Sequence, residues 1–213
     1  MKKGISSEVL LQLFANLETE WPGISAHRKE QLNMLSQLIL EHHAHSPEIN
    51  LLFVCTHNSR RSQLGEVWMH AVAIYYDLPW LHAFSAGTET TAFNDRMVHA
   101  LQQAGFPLIK TKTSENSEFS LSLPGSGSSD RALFSKSWSD PSIPKTGLLA
   151  IMVCTDAEQN CPFIPGAIAR FPLPYEDPKE ADDSPEEELA YQLKVREIGL
   201  EMLYLGWLIK TAT

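Results

Sequence analysis

The sequence predicts an α/β protein: a four-stranded parallel sheet with helices on both faces, preceded by a helical extension and interrupted by an inserted β-hairpin. Two observations support this fold class. After residue 48, short apolar runs alternate with longer segments of helical periodicity, which is typical of parallel strands joined by helical crossovers. The chain has 213 residues, 43% of them hydrophobic, which is enough for one substantial core and an appendage.

The N-terminal residues 1–47 are predicted to form a helical extension. Residues 6–19 and 25–44 have amphipathic helical patterns, and Ser25 is a suitable N-cap for the second. Pro47 then breaks the helical pattern. We expect a helical hairpin that packs either on the following domain or on a second copy of the chain, in which case the protein is a homodimer.

The α/β domain is predicted to span residues 48–213. In parallel sheets of this type, ligands bind at the carboxyl ends of the strands. Cys55 and Cys154 both stand at predicted strand ends, so we expect their sulfur atoms at one edge of the sheet. The predicted elements, in chain order, are strand 50–55, helix 61–76, strand 82–86, helix 94–104, strand 148–154, strand 169–174 and helix 185–210.

An insertion at residues 112–146 interrupts this alternation. Residues 118–123 alternate polar and apolar side chains, 124–130 are rich in turn-forming residues, and 131–136 follow. This pattern favours a β-hairpin, although the Gly/Ser stretch is also typical of a flexible surface loop. A hairpin here would serve as a lid, as a docking surface for a protein partner, or as a contact with a second subunit.

The strongest functional signal is the pattern Cys55-x5-Arg61-Ser62, directly after the first predicted strand. Five intervening residues let the backbone curl with its N–H groups inwards, at a helix N-terminus whose dipole favours an anion. Arg61 offers a planar fork for two oxygens, and Ser62 can donate to a thiolate. The alternative is an ordinary buried cysteine, but this context predicts a nucleophilic Cys55 thiolate beneath a tetrahedral oxyanion. The predicted oxyanion-binding residues are Thr56, His57, Asn58, Ser59, Arg60, Arg61 and Ser62.

Further motifs follow the loop along the chain. They are Phe84-Ser-Ala-Gly87-Thr, the segment from Asn94 to Gly105, the segment from Val153 to Pro162, and Tyr175-Glu-Asp-Pro178. Together with the loop, they resemble the low-molecular-weight protein tyrosine phosphatase superfamily over about residues 48–213. The loop sequence is most similar to the thioredoxin-coupled arsenate reductases within it. The resemblance implies the low-molecular-weight phosphatase fold.

The chain departs from the family pattern in two places. His57 stands where the family usually has Gly, a residue chosen for backbone angles that a side chain resists. Because His tolerates left-handed angles better than most residues, we expect the loop to form with an imidazole at its rim. The second departure is the insertion, which we expect to cover or reshape the mouth of the site.

The resemblance implies roles for the other two cysteines. In the arsenate reductases, a cysteine after the third strand attacks the arsenic-bearing catalytic cysteine, and a further cysteine resolves the resulting disulfide; Cys154 and Cys161 stand at those positions. Two incidental thiols are the alternative. By the same resemblance Asp177, before Pro178, is the general acid that protonates the departing oxygen, although it stands among many carboxylates. No metal or cofactor is expected, since no His or Cys pair supplies a full ligand set.

The net charge of −9 argues against nucleic acid and anionic membrane surfaces as partners. With neither a signal-peptide core nor a membrane-length apolar run, we expect a cytoplasmic protein whose thiols stay reduced.

The leading prediction is an arsenate reductase that uses a cysteine relay and is reset by thioredoxin or another thiol reductant. The alternative is a phosphatase that binds phosphate oxygens of phosphotyrosine, of another phosphorylated protein or of a small phosphoester, and hydrolyses it through a cysteinyl-phosphate. In that case the other thiols would protect Cys55 from overoxidation. A third hypothesis is a non-enzymatic oxyanion or redox sensor, which the substitution at His57 encourages.

Overall fold

The computed structural model of the chain describes residues 8–123, 130–160 and 163–213. Short 3₁₀ helices cover Trp21–Gly23 and Pro178–Ala181. The α-helices are α1 (Glu8–Thr19), α2 (Ala26–His43), α3 (Arg61–Tyr75), α4 (Asp95–Gln103), α5 (Thr155–Asn160) and α6 (Glu187–Ala212). The strands are β1 (Ile49–Cys55), β2 (Leu81–Gly87), β3 (Leu108–Lys112), β4 (Glu118–Leu121), β5 (Arg131–Leu133), β6 (Leu148–Met152) and β7 (Ala167–Pro172).

The central sheet has four strands in the order β2-β1-β6-β7, and every neighbouring pair is parallel. All five residues of β6 are buried. Because successive side chains of a strand point to opposite faces, both faces of the sheet are covered at its centre. The predicted fold class is therefore confirmed.

Close packing between α3 and β1 fixes the start of α3 at the end of β1. A Cβ atom on Gly65 would lie 2.4 Å from the ring of Phe53, so the absence of a side chain lets the helix approach the strand. The ring of Phe53 is itself almost fully buried. The segment between Cys55 and Arg61 is consequently anchored at both ends by the core of the domain.

The extension packs on the α/β domain of the same chain. Helices α1 and α2 both lie against α6, and the ring of Phe14 lies 5.3 Å from that of Trp68 in α3. Ser25 caps α2, since its side chain accepts a hydrogen bond from Arg28 N. This is the first of the two predicted arrangements; a homodimer stays a prediction.

The insertion forms a three-stranded antiparallel sheet in the order β3-β4-β5. The predicted hairpin is the β4/β5 pair, and its predicted turn, residues 124–129, lies outside the described residues. Strand β3 was not predicted; it pairs with β4 although four of its five residues are exposed. Within the ranges that the structure describes, no helix is long and apolar enough to cross a membrane.

Candidate functional site

A series of hydrogen bonds runs from the backbone N–H of Lys136 through the side chains of Asn58 and Ser62 to the Cys55 sulfur. Lys136 N donates to Asn58 Oδ1 at 2.8 Å, which places the amide nitrogen of Asn58 on Ser62 Oγ, also at 2.8 Å. Ser62 Oγ lies 3.0 Å from Cys55 Sγ. Since the hydroxyl oxygen already accepts from Asn58, its own proton is free to point at the sulfur. The Ser62 hydroxyl is therefore in position to donate a hydrogen bond to Cys55 Sγ.

The left-handed residue of the loop is Asn58, with φ of 46°, and His57 does not share that conformation. The loop forms with His57 in place of Gly, as expected, but the tolerance of His for left-handed angles is not needed, because the left-handed position belongs to Asn58. Gly87 supports the same part of the loop, because a Cβ there would lie 2.8 Å from Asn58 N. The backbone of the loop thus packs directly on the end of β2.

The side chains of the other predicted anion-binding residues differ in their hydrogen-bond partners and in their burial. Arg60 is turned away: its Nε donates to Tyr191 Oη at 2.8 Å, and its Nη2 donates to Asp182 at 3.3 Å. His57 is exposed, with its Nε2 3.4 Å from Glu89. The side chains of Arg60 and His57 therefore have their contacts outside the loop, although both residues were predicted to bind the oxyanion. Thr56 and Ser59 are partly and almost fully buried, respectively.

Arg61 and Asp177 form a close pair at the rim. Arg61 Nη2 donates to Asp177 Oδ2 at 2.7 Å, and Nη1 donates to the carbonyl oxygen of Tyr175 at 3.0 Å. The Nε of Arg61 is buried and has no hydrogen-bond partner among the described residues. A guanidinium with an unused donor next to a candidate general acid fits oxyanion binding.

Cys154 lies between β6 and α5 and is buried. Its Sγ is 3.6 Å from Oγ1 of Thr56, the residue that follows Cys55, and it accepts from Ala157 N at 3.3 Å. The structure therefore brings Cys154 to the loop, as the strand ends predicted. Cys161, the third predicted relay residue, lies outside the described residues.

Sequence similarity to known proteins identifies the family. An arsenate reductase of Bacillus licheniformis is 31% identical to this chain over 150 residues, which are 70% of this chain and 88% of the relative. The chain belongs to the arsenate reductase family. The family predicted from the loop and the later motifs is confirmed.

Other relatives and structures accompany this match. An arsenate reductase of Bacillus subtilis is 29% identical over the same shares of the two chains, 70% and 88%. A solved thioredoxin-dependent arsenate reductase of Corynebacterium glutamicum has a TM-score of 0.45 and 15% identity, with 97% of this chain and 99% of that chain covered. A low-molecular-weight phosphatase from T. tengcongensis has a TM-score of 0.47 and 18% identity, with 73% and 95% covered. No family model matches the chain.

In this member of the arsenate reductase family, the insertion touches the loop directly. Ser135 Oγ donates to the carbonyl oxygen of His57 at 2.9 Å, and Gln63 donates to that of Phe134 at 2.8 Å. With the bond from Lys136 N to Asn58, three consecutive residues of the insertion hold the loop. No role was predicted for Gln63, Ser135 or Lys136, and Gln63, directly after Ser62, was the only sequence signal for this contact.

A cavity of about 760 Å³ adjoins the rim and is shared by the extension and the α/β domain. Arg61 and Asp177 line it beside Arg28 of α2 and Thr155, which follows Cys154. Arg28 Nε donates to Glu201 at 2.7 Å, and its guanidinium lies 4.5 Å from the centroid of the Tyr175 ring. The extension of this family member thus supplies part of the wall next to its candidate active site.

Proposed function

We propose that this chain reduces arsenate to arsenite through a relay of its three cysteines. The observation that carries the proposal is the position of Cys154, whose sulfur contacts Thr56 in the loop that holds Cys55. A second thiol at this place takes no part in the bond-breaking steps of ester hydrolysis, whereas a relay requires one. Membership in the arsenate reductase family supports the same reaction.

The first half of the reaction uses the loop and its rim. Arg61 and the loop N–H groups hold arsenate, and the Cys55 thiolate attacks arsenic. An S–As bond forms, an As–O bond breaks, and the departing oxygen leaves as water after taking a proton from Asp177. The pairing of Asp177 with Arg61 at 2.7 Å supports a carboxyl group within reach of that oxygen.

The second half transfers two electrons to arsenic. Cys154 attacks the sulfur of Cys55, the S–As bond breaks with its electron pair on arsenic, and arsenite departs as a Cys55–Cys154 disulfide forms. Cys161 then attacks Cys154, which frees Cys55 and leaves a Cys154–Cys161 disulfide. An external dithiol must reduce that disulfide, and we propose thioredoxin for this role because a solved relative is described as thioredoxin-dependent.

Steady-state arsenate reduction tests the relay. With a thioredoxin system as reductant, Cys55→Ser, Cys154→Ser and Cys161→Ser should each reduce turnover to background. The variants Cys154→Ser and Cys161→Ser should keep arsenate binding, measured by competition with phosphate, because neither thiol holds the oxyanion. Full turnover by both Cys154→Ser and Cys161→Ser would contradict the proposed relay.

A second candidate function is phosphate ester hydrolysis at the same loop. The observation that favours it is the cavity of about 760 Å³ beside Arg61 and Asp177, which lies in the size range of pockets for organic ligands and far exceeds one inorganic oxyanion. Cys55, Arg61 and Asp177 keep their roles, and water hydrolyses the cysteinyl-phosphate. An aryl phosphate assay separates the two functions, because hydrolysis should survive Cys154→Ser.

A further inference from the structure

Hydrogen bonds from the insertion, and not only from the α/β domain, fix the position of the oxyanion loop in this chain. Residues 134–136 meet the loop through the three hydrogen bonds given above, from Gln63, from Ser135 and from Lys136 N. Ser135 Oγ also accepts a hydrogen bond from Thr91 N at 2.9 Å. The loop between β2 and α4 therefore contacts the same residue. The segment is therefore a point where three parts of the chain converge.

The same segment reaches the edge of the central sheet. Gly87 N donates to the carbonyl oxygen of Lys136 at 2.8 Å, and Gly87 forms a parallel bridge with Ser137. Both backbone groups of Lys136 are thus engaged, the N–H with the loop and the carbonyl with β2. A displacement of Lys136 would disturb both contacts together.

A buried ionic cluster fixes Lys136 in this place. Its Nζ lies 3.5 Å from Oε2 of Glu66, and both side chains are 2% exposed. Glu66 also accepts from Ser85 at 2.5 Å and from Arg131 at 2.8 Å. Because removal of one partner from a buried pair leaves an uncompensated charge, the pair strongly disfavours any position of Lys136 away from Glu66.

The electrostatics agree with an ionised cluster. Burial alone would raise the pKa of Glu66, but Lys136 and Arg131, followed by the Ser85 hydroxyl, bring it below the usual value for glutamate. His70 faces the same cluster, and burial followed by the charge of Arg131 lowers its pKa to about 4. The cluster therefore consists of one carboxylate, two cations and a neutral imidazole at neutral pH.

We propose that Lys136 is a positioning residue for the catalytic thiol, held by Glu66, and that it sets the reactivity of Cys55 through Asn58 and Ser62. The Nζ of Lys136 lies against Glu66 and the carbonyl oxygen of Phe134, not against the sulfur. Lys136 places the backbone N–H that orients the Asn58 amide, which in turn leaves the Ser62 proton free for Cys55 Sγ. The inference rests on the proposed role of Cys55 as nucleophile, and it gives the insertion a task in the chemistry of the loop.

The test measures Cys55 alone. In a Cys154→Ser/Cys161→Ser background, Cys55 is the single thiol of the chain, and its alkylation by iodoacetamide is followed as a function of pH. We expect Lys136→Met to move the midpoint of the alkylation profile upward by about one pH unit, because the thiolate loses an oriented donor. Lys136→Arg, which keeps the charge beside Glu66, should restore at least half of that shift.

Arg131→Met is the matched control. It removes the other cation from Glu66, so it should lower the melting temperature as Lys136→Met does, yet Arg131 makes no contact with the loop and the midpoint should stay within about 0.2 units. Ser135→Ala is a milder variant that cuts the bond to His57 and should move the midpoint in the same direction as Lys136→Met. It keeps the test valid if Lys136→Met does not fold.

Two results would overturn the inference: midpoints unchanged in Lys136→Met and Ser135→Ala, or an equal shift in Arg131→Met. Because alkylation requires no arsenate, these results are distinct from a failure of the proposed function. An unreactive Cys55 at every pH in the background variant would contradict the proposed function instead.

Discussion

The guanidinium of Arg61 donates to the carboxylate of Asp177 over 2.7 Å, and the two side chains are only 13% and 15% exposed. One arginine therefore links the oxyanion loop to the loop of the candidate general acid. An oxyanion that binds to Arg61 must share this guanidinium with Asp177. We therefore expect oxyanion binding and proton donation to be coupled at the rim.

This coupling predicts opposite effects of Asp177→Asn on rate and on affinity. Turnover of arsenate should fall about a hundredfold or more because the proton donor is lost. Affinity for phosphate as a competitive inhibitor should rise, because the amide no longer competes with the oxyanion for Arg61. Inhibition constants and kcat measured on the same preparations check both effects. Weaker phosphate binding in the variant would contradict the coupling.

Arg61→Lys should strongly reduce activity although the positive charge is retained. A lysine ammonium cannot supply the planar fork that holds Asp177, the Tyr175 carbonyl and an oxyanion together. We expect kcat/KM for arsenate to fall by about two orders of magnitude, with most of the loss in transition-state binding. Lys29→Arg, at a half-buried position of α2 that is not part of the cavity wall beside Arg61, provides a control in which kinetics should stay unchanged.

Gly87→Ala should damage the site through the backbone. The added Cβ would lie 2.3 Å from the carbonyl oxygen of Glu89 and 2.8 Å from Asn58 N, so the loop must shift. We expect a loss of stability of about 1–3 kcal/mol and a marked loss of activity. Gly23→Ala is the matched control, because its Cβ would meet nothing within 4 Å. Equal denaturation midpoints for the two variants would show that the loop accommodates the methyl group.

His70 predicts a specific dependence of stability on pH. Burial followed by the charge of Arg131 lowers its pKa to about 4 in the folded chain from 6.5. Between these values the unfolded chain binds more protons, so stability is fully present above pH 6.5 and falls as the pH drops towards 4. The loss between pH 7 and pH 5 should be roughly 2 kcal/mol.

Urea denaturation of wild type and His70→Gln at pH 7, 6 and 5 checks this prediction. In the variant, the free energy of unfolding should fall less steeply between pH 7 and pH 5, because the contribution of His70 is absent. Glu66 does not account for this loss, since burial raises its pKa but Lys136 and Arg131 bring it below the usual value for glutamate, away from this window. Parallel stability profiles for the two proteins would refute the assignment.

The sequence predicted the parts of the molecule that depend on local pattern. Residues 50–55 were predicted as a buried strand from their apolar run, followed by an anion-binding turn and a helix, and the structure has the same order in β1, the loop and α3. The extension was predicted equally well, because a good cap at Ser25 and regular apolar spacing define its second helix. Both are local properties of the chain.

Features that depend on topology were missed. Strand β3 is largely exposed and has little apolar alternation, so only its pairing with β4 makes it a strand. The bond from Lys136 N to Asn58 joins residues 78 positions apart, and no spacing rule anticipates it. His57 was given a conformational role because it replaces a glycine, whereas the left-handed angle belongs to its neighbour, Asn58.

A single-turnover reaction of the Cys161→Ser variant tests the relay most directly. Without Cys161 the Cys55–Cys154 disulfide has no resolving thiol, so the reaction should stop after one cycle. Reduced variant mixed with arsenate and no added thiol should release one arsenite per chain and yield a Cys55–Cys154 disulfide, identified by mass spectrometry of the digested protein. Absence of arsenite together with a free Cys154 thiol would contradict the account.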